Sequence, residues 1–201
     1  MIGKRVIAAM LFAVALLGLG AAAQARDRDI VVKAVKTGTL LVVKVEYLVR
    51  APVATVWEVM TDWDNMARFL PSVLESTIAS KTGNRYRVRQ KGRVYLGLFP
   101  VSFKAVRDFD LFSPERMRFT GVSGEFERLE GEVKLSVSGE ETRLVYRAES
   151  VPTVWVPPFV GAAMIEHVAR VQFGELRAEI LRRHAARAGQ EGVAPVPRPE
   201  H

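Results

Sequence analysis

The stretch from Val156 to His184 constrains the fold more than any other. Pro157-Pro158 suit the first turn of a helix, where a missing N–H goes unused. From there Ile165, Val168, Ala169, Phe173, Leu176 and Ile180 recur at spacings of three and four and share one face. Glu166, His167, Arg170, Arg177 and His184 fall on the other. The spacing predicts one amphipathic helix of about 26 residues, roughly 40 Å long at 1.5 Å per residue. An apolar stripe of that length needs a surface to cover it, and the chain before it reads as strands.

Ile30 to Val35 and Leu41 to Val49 are strand-like runs joined by Lys36-Thr37-Gly38-Thr39, a hairpin connection. In the second run Leu41, Val43, Val45, Tyr47 and Val49 alternate with Val42, Lys44, Glu46 and Leu48, so the odd positions are expected to be the buried ones. Pro52 opens a short helix with Val53, Val56, Trp57 and Met60 on one side. Asp62 or Asp64 caps a second that Pro71 stops after Phe69. From Val73 onward turn signals at Thr82-Gly83-Asn84, Ser113-Pro114-Glu115, Ser123-Gly124 and Ser138-Gly139-Glu140 divide alternating runs at the spacing of antiparallel strands. The pattern is α+β: a curved antiparallel sheet, two short helices after the first strands, and one long C-terminal helix.

Lys4-Arg5, the apolar run Val6 to Leu19 and Ala23-Gln24-Ala25 have the charged, apolar and small-residue order of a secretory signal peptide, with cleavage expected after Ala25. The expected organisation is a signal over 1–25, one domain over 26–187 and a disordered tail over 188–201. The location is then periplasmic or secreted. Cleavage takes Lys4 and Arg5 and no acid, lowering the formal charge from +7 by 2 to +5. That modest excess suits an anionic membrane surface better than nucleic acid, which an exported protein seldom meets. The chain has no cysteine, so neither a disulfide nor thiol chemistry is available. With 49% hydrophobic and 25% charged residues it is neither a disordered chain nor a multi-span membrane protein.

Several segments carry a family likeness. Ala51-Pro52-Val53-Ala54-Thr55-Val56-Trp57, Thr61-Asp62-Trp63 and Phe69-Leu70-Pro71 resemble the opening of the START-like (SRPBCC) superfamily. Gly83-Asn84-Arg85, Ser123-Gly124-Glu125-Phe126, Tyr146 and the Trp155-to-Phe159 approach to the last helix resemble its polyketide cyclase/dehydrase and coenzyme-Q-binding branch. The likeness covers roughly Ile30 to Arg183. It implies a helix-grip (START-like, Bet v 1-like) fold that commonly encloses a ligand. It does not choose among lipid carriers, cyclases and adaptors, because fold alone does not fix function.

Groups that carry chemistry are sparse. Of three histidines, His201 ends the chain and His167 and His184 fall on the charged helix face. No metal site, phosphate loop or cofactor motif is present. Strand parity turns Tyr86 and Val88, then Val101, Phe103, Ala105, Arg107 and Phe109, then Leu129, Val133 and Leu135, then Leu144 and Tyr146, toward the long helix. With Phe69, Trp155 and the helix residues Ile165, Ala169, Gln172, Phe173 and Leu176, these supply the candidate cavity wall. Arg107 stands out, because a guanidinium brought inside needs an anionic partner. A β-bulge that turns it outward is the competing account. Arg85, Arg87, Arg89, Lys91 and Arg93 form a basic ladder on the opposite face of one strand, a candidate membrane contact. Three readings stay open: a carrier or sequestering module for a lipid, quinone or polyketide-like molecule, a cyclase- or dehydrase-type enzyme using the same cavity, and an adaptor with a filled core.

Overall fold

Alternating runs become strands in the computed structural model of the protein, which describes residues 29–96, 99–124, 126–153 and 161–191. The strands are β1 (Val31–Thr37), β2 (Leu40–Val49), β3 (Val73–Thr82), β4 (Arg85–Leu96), β5 (Phe99–Ser113), β6 (Arg116–Gly124), β7 (Phe126–Ser138) and β8 (Glu141–Pro152). They form one curved antiparallel sheet in the order β1-β2-β8-β7-β6-β5-β4-β3. Chain neighbours pair throughout except where β2 meets β8, so the last strand closes back onto the first hairpin. Gly38, Gly83 and Gly139 begin two-residue turns at φ +60°, +57° and +62°, a conformation that side-chain-bearing residues rarely adopt. In β2, Val45, Tyr47 and Val49 are buried between exposed Lys44, Glu46 and Leu48, as their alternation requires.

Helix α1 (Val53–Thr61) follows Pro52, whose carbonyl accepts the first N–H bonds, from Thr55 and Val56. Its buried side carries Thr55, Val56, Val59 and Met60, while Val53 and Trp57 are only half-buried. A 3-10 turn over Trp63–Asn65 and helix α2 (Met66–Phe69) come next. Asp62 stands at the N-cap position of the 3-10 turn, but neither its side chain nor that of Asp64 makes a capping bond. Asp62 accepts from the Asn65 side chain at 2.7 Å and from Arg183 at 2.6 Å, and Asp64 accepts the Ile78 N–H of β3 at 2.7 Å. Both acids tie the short helices to other elements, a use that local spacing could not reveal.

The long helix, α3 (Ala162–Glu191), starts later and ends later than its periodicity indicates. Pro157, Pro158 and Trp155 lie outside the described residues. The helix passes the expected tail boundary at 188, and residues 192–201 lie outside the described residues, as do 1–28 with the candidate signal. Leu176 and Ile180 are buried on the core face. Glu166 and Arg170, expected to face solvent, instead reach the free edge of β1: Glu166 accepts the Ala34 N–H at 2.9 Å and Arg170 donates to the Ile30 carbonyl at 3.3 Å. They occupy edge groups that would otherwise offer a template for another strand. Among the described residues no helix is long and apolar enough to cross a membrane.

Candidate functional site

Between the sheet and α3 lies a cavity of about 230 Å³. Its wall is built by inward positions on five successive strands: Gln90 on β4, Phe103, Arg107 and Phe109 on β5, Met117 and Phe119 on β6, Val133 on β7 and Tyr146 on β8. Gln172, Phe173 and Leu176 of α3 face them. Met60, Trp63 and Met66 of the short helices, the linker residues Leu70 and Ser72, and Val73 at the start of β3 line its remaining side.

Two glycines set how far the wall stands back. Phe103 pairs across the sheet with Gly92, and Phe119 with Gly131. A Cβ at Gly92 would collide with the Phe103 ring and the Ser72 carbonyl, and one at Gly131 with the Phe119 ring and the Arg147 carbonyl. Each ring therefore lies over a glycine. The aromatic wall is continuous. Tyr86 packs on Trp63 at 5.0 Å, Trp63 on Phe109 at 5.0 Å and Phe109 on Phe119 at 5.8 Å. Phe119 then stacks on Tyr146 at 5.6 Å, and Tyr146 meets Phe173 of the helix at 5.1 Å.

One cation interrupts this surface. A bulge does fall beside Arg107, but Val106 and Arg107 face Ser123 and Gly121, so the extra residue is Val122 of β6. The register of β5 against β4 is unbroken, and Arg107 keeps its inward direction. Its Nη1 donates to Gln90 Oε1 at 3.0 Å, while its buried Nε has no hydrogen-bond partner. Gln90 is held in that orientation because its Nε2 donates to Ser76 Oγ at 3.2 Å and to Met66 Sδ at 3.3 Å. Burial pushes the Arg107 guanidinium below its ordinary range, opposed by the neighbouring Tyr146 phenol. Burial likewise raises the Tyr146 hydroxyl against the pull of Arg107.

The remaining candidates sit elsewhere. Val88 is 0% exposed in the solid core, and Tyr86 backs the wall through Trp63 without lining the space. Leu129 packs half-buried opposite Gly121. Phe69 lies under the Arg183 guanidinium at 5.3 Å, beside a separate charged cleft. Ala169 packs half-buried on the core, Ile165 is half-buried away from the cavity, and Val101, expected inside, is 38% exposed near the β5 end. Gln90, Met117 and Phe119 were readable from strand parity, since Gln90 continues the row of Tyr86 and Val88. The contribution of Met60, Trp63 and Met66 depends on how the short helices fold over the sheet, which no local pattern states.

The basic ladder is largely answered within the fold. Arg85 holds Asp110 in a bidentate pair at 2.7 and 3.0 Å, Arg87 holds Asp108 at 2.7 and 2.8 Å, and Lys91 meets Glu75 at 2.6 Å. The repulsion that suggested an external anion is thus met by carboxylates on β5 and β3. Arg89 and Arg93 are exposed on the same face.

At the far end of α3, Arg183 donates to Asp62 at 2.6 Å, Glu58 at 3.2 Å and Glu179 at 2.7 Å. Burial works against its charge, but the three carboxylates raise its pKa above the ordinary arginine range. Glu179, which also accepts from Arg182, is held below the usual carboxylate range by those partners. No cluster of three or more His, Asp or Glu side chains among the described residues could hold a metal ion.

A family model described as polyketide cyclase / dehydrase and lipid transport matches residues 41–187. No curated protein sequence matches. Solved structures do. A STAR-related lipid transfer protein from Xanthomonas axonopodis superposes with TM-score 0.62 at 15% identity, covering 76% of this chain and 92% of its own. A Thermus thermophilus protein gives 0.60 at 22% identity, with 71% and 98% covered. The Zhui aromatase/cyclase of a Streptomyces species gives 0.56 at 21%, with 72% and 95% covered. At these identities the likeness concerns the helix-grip fold.

Proposed function

Because the chain belongs to the polyketide cyclase/dehydrase and lipid transport family, and because its sheet and long helix enclose an apolar space with one cation in it, we propose that it binds a small, largely apolar molecule there as a carrier or sequestering module. The cavity carries this reading: about 230 Å³ walled by aromatic and aliphatic side chains, with few polar groups. Such a surface supplies affinity by burial, about 25 cal/mol per Å² of apolar area, and its few polar groups orient the guest. The lipid transfer and aromatase/cyclase proteins of the same fold are consistent with that class of ligand. We propose further that residues 1–25 direct export, on the strength of Lys4-Arg5, the apolar run and Ala23-Gln24-Ala25. N-terminal sequencing of the mature protein should then begin at Arg26.

The test is uptake of the neutral apolar dye Nile red, read by fluorescence, by the parent and by Val133→Trp. Val133 stands in the middle of the wall on β7. A larger side chain there should fill the space and abolish uptake, at a stability cost below the roughly 1–3 kcal/mol of an overpacked solid core. A parent that takes up no dye, with a variant destabilised by that amount or more, would favour a surface-acting adaptor with a filled core.

A further inference from the structure

The ligand class can be narrowed, given that the cavity binds a guest at all. Gln90 and Tyr146 are neutral, and none of the described residues lining the cavity is acidic. Among those lining residues Arg107 alone is charged, and its buried Nε–H has no hydrogen-bond partner. The adjacent Asp108 belongs to the opposite face, where Arg87 takes both of its oxygens. A trapped water could accept the Nε–H, but it would leave the charge uncompensated, and an uncompensated buried guanidinium is costly. The fold nevertheless orients Gln90 to hold Arg107 in place, through Ser76 of β3 and Met66 of α2.

We infer that the guest is a carboxylate-bearing amphiphile, its head group accepting from Arg107 on the β5 wall and its apolar body lying along Phe119, Val133 and Phe173. One cation matches one singly charged head, and the guanidinium fork suits the two oxygens of a carboxylate. A phosphate would bring more charge and more acceptor oxygens than one guanidinium and its neutral neighbours can satisfy.

The experiment compares decanoate, methyl decanoate and decanol as displacers of Nile red from the parent, from Arg107→Met and from Arg107→Lys. The parent should bind decanoate at least about tenfold tighter than the ester or the alcohol, the scale of a charge-assisted pair formed away from water. Arg107→Met should lose that preference while still taking up Nile red, and Arg107→Lys should keep part of it. Equal binding of acid and ester by the parent, which needs no variant to fold, would overturn the acidic head and leave the cavity reading standing. An acid preference that survives in Arg107→Met would overturn the pairing of the head group with Arg107. A parent that binds neither the dye nor any of the three would overturn both the acidic head and the cavity reading.

Discussion

At the C-terminal half of α3, Arg183 donates to three carboxylates: Glu179 of its own helix, Glu58 of α1 and Asp62 just beyond α1. On the β5 wall, Arg107 donates to one neutral amide and keeps a buried N–H with no acceptor. The two side chains have the same chemistry and both are partly buried, yet the fold completes one and leaves the other open. The first network clamps α3 onto α1 and explains itself as structure. The second has no structural account until something anionic enters the cavity. The same split divides the two faces of the sheet: Asp110, Asp108 and Glu132 match Arg85, Arg87 and Arg116 outside, whereas none of the described residues lining the cavity is acidic.

The largest effect expected from this contrast is on Arg183→Met. Its removal takes one cation from Glu58, Asp62 and Glu179, which keep Arg187, Asn65 and Arg182 as partners, and losing the centre of this partly exposed network should cost about 2 kcal/mol in a urea melt. Arg107→Met should cost less than about 1 kcal/mol or stabilise the ligand-free protein, because it replaces an uncompensated buried charge with an apolar group. Equal losses in the two variants would erase the distinction between them.

Gly131 and Glu132 are neighbours on β7 that serve opposite faces, so one substitution at each sharpens the comparison. Gly131→Ala drives a methyl group into the Phe119 ring and the Arg147 carbonyl. It should cost about 2 kcal/mol as an overpacked contact and weaken Nile red uptake as the ring tilts into the cavity. Glu132 faces outward. Burial opposes its ionisation, but Lys134 and Arg116 outweigh that and hold its pKa down to about 2. Being depressed in the folded state, it contributes stability above the ordinary carboxylate range, and that contribution is lost as pH falls through about 2. Between pH 5 and 2 the parent should therefore lose more stability than Glu132→Gln, by on the order of 1 kcal/mol given the partial exposure of the pair.

Much of this was legible before the structure. Alternation in β2 set its buried face, glycine positions marked three hairpin turns, and the periodicity of α3 put Leu176 and Ile180 in the core. Parity alone turned Arg107 inward, and the bulge that threatened that reading fell on β6. What remained hidden was long-range. The acids Asp62 and Asp64 look like caps because capping is the local use of an aspartate, but beyond the local Asn65–Asp62 bond they accept from groups 121 and 14 residues away. Glu166 and Arg170 look solvent-facing because a helical period does not show that a sheet edge runs beside them. The basic ladder looked unmatched for the same reason: its acids sit on neighbouring strands. The glycines under Phe103 and Phe119 carry a signal only once cross-strand register is known.

Native mass spectrometry of the protein purified from its own compartment, paired with organic extraction, decides whether the cavity holds an acidic guest. One small carboxylic acid per chain is expected in the parent, recovered in the extract and absent from Arg107→Met. A bare chain mass that stays bare after incubation with decanoate, or an extracted guest with no acidic group, would contradict it.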